Sequence, residues 1–256
     1  MRILLPPSES KREGGRGKPL TARPADGPLA PARAMALDAL SRLLAGPGAA
    51  AALMLPPSVS AAALADNARV LSAPTLPALR RYAGVVYDGL ALEQLSEQGR
   101  RLAGRQVLVF SGLFGVVRGD EPIPAYRVPA KAQLPGLGVA GTFWRRQLGP
   151  LLPPLLGAGP ILDLRSSDYA GMWQPAKGSS EAAQLLTVRI LSPTPTGRRA
   201  VVSYNSKLAK GKLAAAALER AAAGRPIEGA CDLAQLWSEI GGADATVTGN
   251  HAELIE

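Results

Sequence analysis

Short apolar runs that stop abruptly in polar clusters recur through this chain of 256 residues and constrain its architecture. Residues 2–5 open into Ser8, Glu9, Ser10 and Lys11, residues 107–110 into Ser111 and Gly112, residues 161–164 into Ser166, Ser167, Asp168 and Tyr169, and residues 200–203 into Asn205, Ser206 and Lys207. Such runs, bounded by turn residues, read as buried strands. Segments of helical spacing lie between them, so the chain is expected to be α/β: a mixed sheet flanked by helices. No repeat or linker divides it, and one domain over residues 1–256 is expected. In open α/β sheets ligands collect at the carboxyl ends of strands. If the four strands are parallel, their clusters share one cleft; an antiparallel strand would carry its cluster to the opposite edge.

The helical segments are expected at residues 31–44, where Met35, Leu37, Leu40, Leu43 and Leu44 share a face, at 59–64 and 76–82, and at 92–102 after a turn at Tyr87–Leu90. Glu93 and Glu97 face Arg100 and Arg101 there. A long Ala-rich helix follows Asn205 or Ser206 and stops at Gly224, and a last helix passes Trp237 and Ile240 before a Gly-rich end that returns as a short strand.

Several chemistries are excluded by counting. Cys231 is the sole cysteine, in an apolar context that suggests a buried thiol, so an intramolecular disulfide or Cys-based metal centre has no second ligand. His251 is the sole histidine, which removes a Ser-His-Asp triad and a multi-His metal site and leaves proton transfer to Lys, Tyr, Asp or Glu. No GxxxxGK[ST] occurs and no GxGxxG follows a strand. No cofactor is implied. The apolar start is too short for a secretory signal, and residues 49–55 are too short to span a bilayer, so a soluble cytoplasmic protein with no membrane partner is expected.

With 29 Lys and Arg against 20 Asp and Glu, the net charge is +9, which suits a polyanion or a phosphate. The Ala-rich helix begins with an N-cap residue, Asn205 or Ser206, yet carries Lys207, Lys210 and Lys212 in its first turns with no acid beside them. Cations oppose the dipole at that end, and a bound anion would reverse the penalty. Arg118 and Arg127 offer forks for further phosphate oxygens, or pair with Asp120, Glu121 or Asp168. The Gly-rich basic stretch from Lys11 to Lys18 is either an arm laid on phosphates or a solvated loop. Tyr126 and Tyr169 are candidates for base stacking or acid chemistry, or are half-buried packing, and Trp144 beside Phe143 suits the core better than a base platform. The string Leu134–Gly138, LPGLG, is similar to the hairpin of helix-hairpin-helix modules.

Taken together, ILLPPSESK at residues 3–11, YDGL at 87–90, FSGLFGVVRGDEPIPAYRVP at 110–129, TFW at 142–144, LRSSDY at 164–169 and SKLAKGKL at 206–213 resemble, in the same order, the motifs of the YaaA family, the DUF328 or UPF0246 group of peroxide stress proteins. Departures are Phe114 where the family carries tyrosine, Gly119 to Glu121 where it carries Pro-Leu-Asp, and Ser-Glu-Ser before Lys11. The resemblance implies an α/β domain with a deep basic cleft, DNA binding through a helix-hairpin-helix-like element, and a role in limiting peroxide damage to DNA and proteins, linked to intracellular iron. It implies no settled catalytic reaction.

Two functions follow. In the first, Lys11, Arg118, Arg127, Lys207, Lys210 and Lys212 contact phosphates of double-stranded or distorted DNA with little sequence specificity, and Tyr126, Trp144 or Tyr169 stack on bases. In the second, the same cations hold a phosphorylated or anionic small molecule, nucleotides included, and Ser166, Asp168, Tyr169 or Tyr126 do the chemistry.

Overall fold

The computed structural model describes residues 1–22, 26–193 and 199–256. Ile3, Leu4 and Leu5 are fully buried, as are Val107 to Ser111, so both segments have apolar neighbours on each face. That is the environment of interior strands in a parallel sheet. The strands are β1 (Arg2–Leu5), β2 (Val107–Ser111), β3 (Gly115–Arg118), β4 (Ile161–Asp163), β5 (Leu185–Pro193), β6 (Arg199–Ala200), β7 (Asp244–Thr248) and β8 (His251–Ile255). Their order is β7-β8-β5-β4-β1-β2-β3, with β6 paired to β5. The five strands from β8 to β2 are mutually parallel; β3, β6 and β7 are antiparallel.

Helices cover this mixed sheet: α1 (Ala30–Ala45), α2 (Pro57–Ala68), α3 (Val85–Leu90), α4 (Glu97–Gln106), α5 (Ala140–Leu151), α6 (Ser203–Ala222) and α7 (Ala230–Glu239). The expected α/β class is observed, with differences in detail. On α1 the inward face is Ala32, Ala36, Ala39, Leu40 and Leu43, and Met35 points to solvent. Residues 76–82 are a two-residue strand and a four-residue helix, Ala78–Arg81; Tyr87 to Leu90 lie in a helix, and α4 starts at Glu97, capped by the Ser96 hydroxyl. Glu97 pairs with Arg101 as its spacing required.

Residues 200–203 are not an interior strand. Arg199 and Ala200 pair antiparallel with the end of β5, and α6 begins at Ser203 behind Val202, which provides no side-chain cap. Asn205 and Ser206 are thus inside the helix. Cys231 is exposed, because Ala230, Leu233, Leu236 and Trp237 form the inward face of α7. The Leu134–Gly138 turn is a hairpin, residues 133–134 against 138–139, and α5 follows it directly. No helix precedes it at residues 124–132, so a helix-hairpin-helix is not formed. The Gly-rich segment after Lys11 is held in place: the buried Arg81 guanidinium donates to the carbonyls of Arg12, Gly14, Pro74 and Ile123, and Gly17 pairs with Thr75.

The tightest helix crossing places α6 across α3, where Gly89 faces Gly211 backbone to backbone. A Cβ at Gly211 would collide with the Val86 carbonyl oxygen and the Leu90 amide. Gly211→Ala is expected to destabilise the fold by about 1–3 kcal/mol through overpacking, although alanine is the better helix former. A denaturant midpoint at or above wild type would contradict this crossing.

Candidate functional site

From β1 the chain crosses to β2 on one side, and from β4 to β5 on the other. The loops leaving β1 and β4 therefore part, and a crevice opens between them at the carboxyl edge. This is the topological switch point at which open α/β sheets take ligands. Its two walls are residues 6–11 and residues 164–169.

The β4 wall is fixed by Arg165. Its side chain has no solvent exposure and forks onto Asp163, Nε to Oδ1 at 2.8 Å and Nη2 to Oδ2 at 2.6 Å. Nη1 donates to the Trp173 carbonyl at 3.0 Å, and the guanidinium lies 4.4 Å from the Phe110 ring centre. From the helix side, Lys210 Nζ donates to the Arg165 carbonyl at 3.0 Å. Burial lowers the Lys210 pKa, with Asp163 opposing.

Behind the crevice lie four of the five tyrosines in the sequence. The Tyr126 hydroxyl is 2.6 Å from that of Tyr82 and 2.6 Å from Ser111 Oγ, a buried three-hydroxyl chain. Tyr87 stacks on Tyr82 at 5.3 Å and donates to the Pro6 carbonyl. Tyr169 closes the β4 side. Burial pushes the Tyr126 hydroxyl up to about 12, and raises Tyr82, Tyr87 and Tyr169 also. All four are thus neutral donors at ordinary pH.

Lys11 completes the group. Its ammonium donates to the Ser8 carbonyl at 2.8 Å and lies 4.4 Å from the Tyr126 ring centre and 5.3 Å from that of Tyr82. Burial is the main force on its titration and pushes its pKa down to about 7; Glu9 and Asp66 oppose this, and Arg127 and Arg81 add to it. The ring faces return part of the lost hydration by cation–π attraction, about 0.5–2 kcal/mol.

In front is a cavity of about 220 Å³ lined by Glu9, Arg127, Lys131, Asp168 and Tyr169, with Met54 and prolines at its side. Arg127 pairs with Glu9 at 3.0 Å and Lys131 with Asp168 at 2.9 Å. The Arg127 backbone is clamped at both polar groups by the buried Asn67 side chain. These pairs balance the charge of the lining, so the crevice is not the basic cleft expected.

Of the sequence candidates, Lys11, Tyr126, Arg127, Asp168 and Tyr169 come together here. Ser166 is exposed, and among the described residues its hydroxyl makes no hydrogen bond. Lys207 and Lys212 are exposed on α6, while Lys210 turns inward, so the three do not gather at the helix terminus. Arg118 lies elsewhere. The β2–β3 hairpin carries it back to the amino edge, where it forks onto Asp120 beside a groove of about 1310 Å³ with Arg2, Arg33 and Arg105. This groove is larger but lacks the strand-end cluster. Trp144 is wholly buried, its Nε1 bonded to the Gly112 carbonyl and its ring against Gly115, whose φ is +72°. Tyr126 is equally enclosed, so neither ring offers a face to a base. Tyr82 and Lys131 escaped sequence reasoning: Tyr82 sits in a segment read as a plain helix, and Lys131 stands alone in a Pro-rich loop.

Comparison with known proteins gives one family. The model described as "Peroxide stress protein YaaA" matches residues 1–228. A UPF0246 protein of Streptomyces coelicolor is 41% identical over 243 residues, covering 94% of this chain and 90% of its own length. UPF0246 proteins of Corynebacterium efficiens and Corynebacterium glutamicum are 36% and 35% identical over 217 and 218 residues, each alignment covering 84% of this chain and 83% of theirs.

The Lys11 environment predicts a pH dependence of stability. An unfolded lysine titrates near 10.4. With the folded value depressed to about 7, the unfolded chain binds more protons across the intervening window, so stability rises as pH is raised from about 7 towards 10. Lys210 adds in the same sense. Lys11→Met should flatten this rise, as checked by denaturant midpoints from about pH 6.5 to 9.5; a slope identical to wild type would show that Lys11 is not held in this way.

Proposed function

The chain belongs to the peroxide stress protein YaaA family, and from that premise we propose that it is a cytoplasmic DNA-binding protein that limits oxidative damage to DNA and proteins, gripping phosphates with little regard to sequence. The observation that carries this reading is an excess of unneutralised surface cation. Lys207 and Lys212 project from α6, and Arg12, Arg16 and Lys18 from the segment tied to Arg81; all five are exposed and form no ion pair among the described residues. Such side chains release counterions from a phosphate backbone without reading bases. No helix of the described residues is long and apolar enough to cross a membrane.

A second reading is favoured by the crevice: an enzyme acting on a phosphorylated or otherwise anionic small molecule, nucleotides among them. A cavity at the switch point, lined by two ion pairs and the Tyr169 side chain, is more specialised than phosphate contact requires. Arg127 and Lys131 would meet the anion by exchanging their carboxylate partners for it.

Binding of labelled duplex and single-stranded DNA over a salt series separates the readings. The DNA reading expects affinity to fall steeply with salt, and expects Lys207→Ala/Lys212→Ala to reduce the log–log slope by roughly 0.9 for each phosphate that is no longer neutralised. Weak binding with a slope unchanged in the double variant would leave the small-molecule reading in its place.

A further inference from the structure

The groove at the amino edge of the sheet holds about 1310 Å³ against about 220 Å³ for the crevice, and neither function above uses it. Arg2, Arg105 and Arg118 gather in its lining. Arg2 Nη1 donates to the Arg105 carbonyl at 2.6 Å, and burial, followed by the Arg118 charge, lowers the Arg2 pKa. The carboxylates of the groove are Asp26, Asp120 and Glu121, of which Asp120 is paired with Arg118 and Glu121 with Arg33. Arg2 and Arg105 form no ion pair among the described residues. Arg2 gives Nε and Nη1 to two carbonyls, and its Nη2 has no protein partner among the described residues. Much of the remaining lining is aliphatic. Leu20, Leu37, Leu71 and Leu155 each keep part of the side chain open, and Leu71 is 42% exposed. The Thr21 amide donates to the Leu71 carbonyl, which holds Leu20 and Leu71 on one wall. Phe114 is the one aromatic residue among those that line the groove, and its ring is buried in an edge-to-face contact with Tyr126. A nucleobase would find no ring face there, whereas a flexible hydrocarbon chain can follow the leucines.

We propose that this groove binds a monomeric long-chain carboxylate, with its head on Arg2 and Arg105 beside Arg118 and its chain along Leu20, Leu37, Leu71 and Leu155. The site goes beyond both readings above and is independent of them: none of the cations assigned to DNA or to the crevice lines this groove. Planar guanidinium groups match a carboxylate with two parallel hydrogen bonds, and a cluster of like charges is relieved by an anion placed among them. Small-molecule sites are concave, largely apolar and commonly about 300–1,000 Å³, with a few polar groups that fix orientation. A recess of this size admits one hydrocarbon chain, whereas the flat surface of a bilayer cannot enter it. The occupant is therefore a free amphiphile. Each methylene that leaves water on binding strengthens the complex by up to about fourfold.

The test titrates the whole protein calorimetrically with sodium dodecanoate below its micelle-forming concentration. Decanoate, acetate and dodecyltrimethylammonium are run alongside. Dodecanoate is expected to saturate one site and to bind several-fold tighter than decanoate. Acetate and the cationic amphiphile should each bind at least about tenfold more weakly than dodecanoate. Arg105→Glu should weaken dodecanoate about tenfold or more, and Leu71→Asp should reduce the gain from the longer chain. Both side chains are exposed, so neither change disturbs the core. Absence of saturable binding by the wild-type protein overturns the proposal without relying on any variant. Affinity unchanged in Arg105→Glu, or equal binding of the cationic amphiphile, overturns it as well, since the arginines would then play no part. Vesicles of phosphatidylglycerol separate the two sources of an anionic acyl chain. A protein that binds the vesicles and not monomeric dodecanoate reads a membrane surface, which also rejects the proposal.

Discussion

The fork between Arg165 and Asp163 is the contact on which the crevice depends. Removing a guanidinium and a carboxylate from water is costly, and their mutual attraction offsets this only when geometry is good and the remaining donors are used. Here the fork is bidentate, the spare donors reach the Tyr169 and Trp173 carbonyls, and the ring of Phe110 from β2 covers the cation. One side chain thereby fastens the exit of β4 to the segment holding Tyr169, and offers its own carbonyl to Lys210 of α6. Deleting either partner would leave a buried charge alone, a loss of about 3–5 kcal/mol.

Arg81 does for the β1 side what Arg165 does for the β4 side. It is also buried, and its planar head ties the segment after Lys11 to residues 74 and 123 through four carbonyl groups. Lysine, with a compact ammonium on a flexible stem, could not span those acceptors. Lys11 shows the contrast. Its half-buried ammonium meets one carbonyl and two ring faces, so its charge is poorly repaid and its pKa falls. Two arginines with forks fully engaged and one lysine with a single carbonyl acceptor thus meet burial in different ways.

What was legible beforehand follows the same physics. Ile3 to Leu5 and Val107 to Phe110 are uninterrupted apolar runs, and burial on both faces requires that pattern; the convergence of Lys11, Ser111, Tyr126, Asp168 and Tyr169 followed once the strands proved parallel. Strand β5 was not legible. Thr187 and Arg189 interrupt it, and Arg189 is placed outward by its pairing with Glu253 of β8, far away in sequence. The N-cap preference of Asn205 and Ser206 misled, because the chain returning from β5 enters the helix already at Ser203, and Asn205 turns instead to Ser192. Arg118 was misplaced for want of one fact, that the chain reverses between Ser111 and Gly115 and returns to the amino edge. No local pattern announced that Tyr82 would meet Tyr126, since that hydroxyl contact joins residues 44 positions apart.

The hairpin of β7 and β8 lies beyond residue 228, where the match to the family model ends. Without it, the nine-residue β5 would border solvent along its length, with Ile190 and Leu191 beside a row of open amides and carbonyls. Such a border is a template for chain-to-chain pairing. With the hairpin in place, the outermost strand is β7, whose exposed positions are Asp244, Thr246 and Thr248. A charged, hydroxyl-bearing margin thus replaces an apolar one at this edge, three strands away from the crevice.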